Sequence, residues 1–125
     1  AMRNAAEVAR RAQAAGVKRI VIHGRTRCQF YAGAADWPAI AAVRQAVTIP
    51  VLANGDITDA ATARAALLAS GGAGVMVGRG VRGRPWLLAQ IRAALTGAPA
   101  PEIPVGAALS DLVAAHYQAM LSFYG

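Results

Sequence analysis

At 125 residues, 56% hydrophobic and 15% charged, the chain has the room and the apolar content for one ordinary domain. Its formal charge of +7 comes almost wholly from arginine, Lys18 being the lone lysine; this suits phosphate or nucleic-acid partners, and equally a GC-rich genome. No apolar run approaches the roughly 20 residues of a membrane span, no leader resembles a signal peptide, and the single Cys28 excludes an internal disulfide framework and suits a reducing cytoplasm.

Taken in order, Ala1-Met2 reads as a candidate cloning remnant. Asn4 to Ala15 predicts an amphipathic helix with Val8, Ala12 and Ala15 on its buried stripe, capped near Asn4 and ended by Gly16. Val17 to His23 predicts a strand, and Gly24 to Ala35 a loop carrying Arg25, Arg27 and the pair Phe30-Tyr31. Asp36 can cap a second helix with Pro38 in its first turn and Ile40, Val43 and Val47 inward. Ile49 to Ile57 follows: a short, nearly continuous apolar run that reads as a strand buried on both faces, closed by an Asn54-Gly55 turn able to take positive φ.

Thr58 or Asp59 caps a third helix through Ala63, Ala66 and Leu67, ended by Gly71-Gly72. Gly74 to Val77 predicts a third strand, running into a glycine- and arginine-rich loop from Gly78 to Pro85. Trp86 to Leu95 predicts a fourth helix with Leu88, Ile91 and Leu95 aligned. Thr96 to Pro104, with three prolines, is a linker, and Ala107 to Tyr124 a last helix on which His116 reads as packing.

Strands alternating with helices argue for a parallel α/β sheet. The strand ends His23, Asn54 and Gly78 are 31 and 24 residues apart, one βα unit each. Three strands cannot close a barrel, and eight need about 250 residues. The chain is therefore a small open sheet or a partial (β/α)₈ TIM barrel. A first helix with no strand before it and an apolar last helix with no partner favour the partial barrel. The expected organisation is barrel over 1–95, linker over 96–105 and a helix of a further domain over 106–125. Exposed strand edges and the terminal helix are expected to drive self-association.

Two loops at consecutive strand ends suit a phosphate: Asn54-Gly55-Asp56 and Gly78-Arg79-Gly80. Glycines admit an anion to the backbone, successive N–H groups form a nest, and Arg79 can add a charged contact. His23, at a strand end, is either a satisfied core residue or a hydrogen-bond donor to a ligand. Asp56 can accept from a hydroxyl or cap the next turn. No second ligand stands near His23, so no metal site is expected. Cys28 lacks a visible base and orienting partner, so no catalytic residue is assigned within the chain.

These segments together resemble the tRNA-dihydrouridine synthases of the bacterial B-type branch. The resemblance is carried by His23 to Tyr31, Gly33 with Ala35-Asp36-Trp37, Ile49 to Ile57, Gly78-Arg79-Gly80 and Gly83 to Trp86, and extends to Phe123-Tyr124-Gly125. It implies an FMN-dependent barrel, of which these would be the last three strands, followed by a helical tRNA-binding domain. NADPH would reduce FMN, which reduces the C5–C6 bond of uridine in tRNA. His23, Asn54, Gly55, Asp56, Gly78 and Arg79 match flavin-binding positions, and Arg25 and Arg27 lie in the loop facing tRNA. The family's catalytic cysteine sits in a Gly-Cys-Pro loop that this chain lacks, and Ala73 stands where the family usually has aspartate. The chain is accordingly expected to hold half of a flavin site and to be inactive alone. The alternatives are another FMN- or phosphate-binding barrel oxidoreductase, against which Arg25 to Tyr31 and Arg84-Pro85-Trp86 speak, and a non-catalytic phosphate- or RNA-binding half-barrel.

Overall fold

The computed structural model describes residues 4–125; Ala1-Met2 lies outside the described residues. Three parallel strands, β1 (Ile20–His23), β2 (Val51–Asn54) and β3 (Gly74–Met76), form one sheet in the order β1-β2-β3. The helices are α1 (Ala5–Ala14), α2 (Pro38–Ala46), α3 (Ala60–Ser70), α4 (Leu87–Thr96) and α5 (Gly106–Tyr124). Helices α1 to α4 pack as consecutive neighbours. Each crossover is therefore a βα unit whose helix lies beside the next, which positions every strand's C-terminal end at one rim.

The core lies between the sheet and these helices. Ile40, Val43 and Val47 meet Val51, Ala53, Ala63 and Ala66, all at most 5% exposed. The α2 stripe is the one expected. On α4 the inward residue is Leu87 rather than Leu88, which is half exposed; Leu87, Ile91 and Leu95 keep the i, i+4, i+8 face. On α1 the buried residue is Ala9 and Val8 is exposed, because the helix is anchored along a different line. There Gln13 Oε1 accepts the backbone N–H groups of Thr48 (2.8 Å) and Ile49 (3.2 Å).

Local signals explain most boundaries. Asp59 accepts the Thr62 N–H at 2.7 Å in a capping box, and Gly71 ends α3 in the left-handed region. Asp36 accepts the Ala39 N–H (3.0 Å) and so serves the first turn of α2 from outside it. Asn4 stands at the N-cap of α1 without a side-chain capping bond. Strand β1 is shorter than expected: the Val17 N–H turns back to Ala12 O (3.1 Å), so ladder pairing begins only at Ile20.

Two expectations are corrected. Strand β2 is buried on one face only. Val51 and Ala53 are closed under the helices, whereas Leu52 and Asn54 are partly exposed on a second face with Val21 and Met76. No helix covers that face among the described residues, so an apolar run alone overstated its burial. Helix α5 has no buried residue; His116 is exposed, not packed.

Candidate functional site

Parallel pairing puts His23, Asn54 and Met76 in one row across the sheet's C-terminal end, on the open face. The turns that follow these strands wall a groove of about 670 Å³. His23, Arg25, Asn54, Gly55, Asp56, Gly78 and Arg79 all line it, joined by Tyr31, Gly80, Arg82 and Arg84. Arg27 does not: it lines a neighbouring cleft beside β1 with the exposed Cys28.

Close backbone approach sets the floor. Gly55, at φ +113°, is buried, and a Cβ there would meet Ala35 Cβ at 2.9 Å and the His23 ring at 3.2 Å. The missing side chain lets the imidazole lie against the turn. The positive-φ pair is Gly55-Asp56, one residue later than expected, since Asn54 still belongs to the ladder. Asn54 Nδ2 donates to Met76 O (3.1 Å), and Trp37 Nε1 donates to Gly55 O (2.9 Å).

The backbone N–H groups of Gly55, Asp56 and Ile57 donate to no acceptor among the described residues, and neither do those of Gly78, Arg79 and Gly80. Unpaired N–H groups in consecutive turns, with arginines beside them, make a place for an anion. Arg79 is exposed, and its guanidinium lies 4.3 Å from the centre of the Tyr31 ring, a cation–π contact that bridges the turns after β1 and β3. Arg84 donates to Thr58 O and Gly80 O, both at 3.1 Å, tying the turns after β2 and β3 together.

Arg25 is paired within the protein. Its side chain is 5% exposed and grips Asp56 with two guanidinium nitrogens, at 2.8 and 2.7 Å. Its guanidinium is thus engaged by protein acceptors at the groove wall. Asp56 likewise neither caps the next helix nor stands free. The Arg25 guanidinium, and less so the Ala35 N–H, hold its carboxyl below the ordinary 3.8 against the opposing effect of burial.

Sequence reasoning missed Tyr31 as a partner of Arg79 and Arg84 as a tie between turns. It also missed the 3₁₀ turn Arg27–Gln29, whose capping box was written in Thr26-x-x-Gln29. Among the described residues no group of three His, Cys, Asp or Glu could hold a metal, and no helix is long and apolar enough to cross a membrane.

A family model described as Dihydrouridine synthase (Dus) matches residues 1–125. A Rhodobacter capsulatus protein named "Probable tRNA-dihydrouridine synthase" is 70% identical over 122 residues, covering 98% of this chain and 38% of that protein. Proteins of the same name from Rickettsia conorii and Mycobacterium leprae are 50% and 44% identical, with 98% and 95% of this chain and 37% and 31% of theirs covered. The chain thus spans less than two fifths of the length of the curated relatives it matches.

Proposed function

The chain belongs to the dihydrouridine synthase family, and from that premise we propose that its protein reduces the C5–C6 bond of uridine in tRNA with FMN, recharged by NADPH. The observation that carries the reading is the groove itself: six backbone N–H groups without an acceptor among the described residues, and an accessible arginine, at the C-terminal rim of a parallel sheet. In open and closed parallel folds alike, ligands bind at that rim, and a phosphate between two consecutive turns is a recurrent arrangement.

The residues fit the cofactor's chemistry. The N–H groups of the turns after β2 and β3 would take the phosphate, with Arg79 adding a charged contact. His23, on the floor against Gly55, would donate to a flavin carbonyl or ring nitrogen. Asn54 is held by Met76 O and keeps its carbonyl oxygen for a hydroxyl of the ribityl chain. When bound, FMN supplies hydride to the uracil ring. Cys28 lies outside the groove, so this chain contributes binding and orientation, and the proton donor belongs to another part of the protein. Arg27, exposed on the rim of the neighbouring cleft, would meet a tRNA phosphate. The three strands serve as part of a (β/α)₈ barrel in the cytoplasm.

The test is conversion of uridine to dihydrouridine in an unmodified tRNA transcript by the full-length protein with FMN and NADPH, read by nucleoside mass spectrometry. RNA binding without conversion would instead favour a non-catalytic RNA-binding role.

A further inference from the structure

Arg25 and Asp56 belong to different turns, 31 positions apart. The guanidinium of Arg25 donates to both oxygens of Asp56, to Gly33 O at 2.6 Å and to Ala32 O at 3.3 Å. Asp56 Oδ2 also accepts the Ala35 N–H at 2.7 Å. One ion pair therefore fastens three backbone points of the turn after β1 to the turn after β2. A guanidinium this buried loses its water, and only such a full set of acceptors offsets that cost. Asp56 itself sits at φ +54°, a conformation that persists in a non-glycine residue when its surroundings over-determine it. Its own N–H and those of Gly55 and Ile57 donate to no acceptor among the described residues.

We infer that the Arg25–Asp56 pair is a latch that positions the Gly55-Asp56-Ile57 backbone for a phosphate, neither side chain touching the ligand. Arg25 is then a positioning residue rather than an RNA contact. The inference rests on the cofactor reading given above. A nest binds an anion only while its N–H groups converge. Released from Arg25, the carboxylate at Asp56 would stand beside the phosphate as an unscreened like charge. Lysine cannot replace the fork, because a single ammonium cannot face two carboxylate oxygens and two carbonyls in one plane.

The experiment uses the full-length protein as wild type, Arg25→Lys, Asp56→Asn and the double variant. FMN and riboflavin are titrated by flavin fluorescence, and hydrogen exchange is followed without ligand in peptides covering 32–35 and 54–57. Each single variant is expected to lower FMN affinity about tenfold or more, as for other misplaced binding groups. Riboflavin affinity should change little, the double variant should be no weaker than the weaker single one, and exchange should quicken in both turns. Asp56→Asn that keeps or tightens FMN binding would make Arg25 the ligand and overturn the latch. So would additive losses, which mean independent contacts, or equal losses for FMN and riboflavin, which mean a general loss of structure. A wild type that binds no FMN refutes the cofactor reading instead. In that case faster exchange in both turns still supports the latch, and unchanged exchange sinks it.

Discussion

Replacing Gly80 by alanine would place a methyl carbon 2.5 Å from Ile57 O, with Thr58 Cα and Val77 Cγ1 each at 3.2 Å. The first contact is to backbone, which cannot swing aside as a side-chain tip can. Ordinary carbon contacts begin near 3.5 Å, so the turns after β2 and β3 must part by most of an ångström. They are joined there by Arg84, whose bonds to Thr58 O and Gly80 O would lengthen together. Overpacking of this kind costs about 1–3 kcal/mol. An opposing gain of about 0.4–1 kcal/mol comes from removing a glycine from the unfolded chain, which leaves a net loss. Urea unfolding of full-length Gly80→Ala should therefore show a lower midpoint at unchanged slope, with weaker FMN binding alongside. Equal or greater stability would mean that the two turns are not in contact at Gly80, and the groove's geometry would need revision.

Arg79→Ala should weaken FMN binding by about 1.5–3 kcal/mol, the range for a charged hydrogen bond; unchanged flavin affinity by fluorescence titration would remove Arg79 from the phosphate site. Asp56 has a depressed carboxyl, so its contribution to stability is complete above the ordinary 3.8 and is lost as pH falls through the lower folded value. The stability difference between wild type and Asp56→Asn should accordingly shrink only below about pH 3.8, and a difference that stays constant through that range in urea unfolding would contradict the ion pair. The 125-residue chain taken alone should self-associate in sedimentation equilibrium, through the open edges of β1 and β3 or the uncovered α5, where Tyr117, Leu121 and Phe123 are at least half exposed. A folded monomer with cooperative unfolding would be the contrary result.

What the sequence disclosed and what it hid divide by range. Helix α3 was legible because each determinant is local: Asp59 with Thr62 at its start, Ala63 and Ala66 on one face, Gly71 at its end. The α2 stripe was legible for the same reason. The groove was half legible, since Gly-Asp and Gly-Arg-Gly turns after apolar runs are local patterns too. The Arg25–Asp56 pair was not, because nothing near either residue names a partner in another turn, and a free arginine in a loop looks like a nucleic-acid contact. The Tyr31–Arg79 contact was hidden likewise, as it skips the middle strand altogether. Burial of β2 was overstated because hydrophobicity records what a strand can bury, whereas the face it buries depends on which layers are present. The shift from Leu88 to Leu87 on α4 is a rotation of one position, which an apolar pair leaves open.

We propose that this groove holds the phosphate end of a flavin. The absorbance spectrum of the purified full-length protein tests it most directly. A yellow protein with a flavin spectrum whose released cofactor is FMN is expected, and a colourless Arg79→Ala variant after dialysis. A wild type that is colourless and fails to take up added FMN would contradict it.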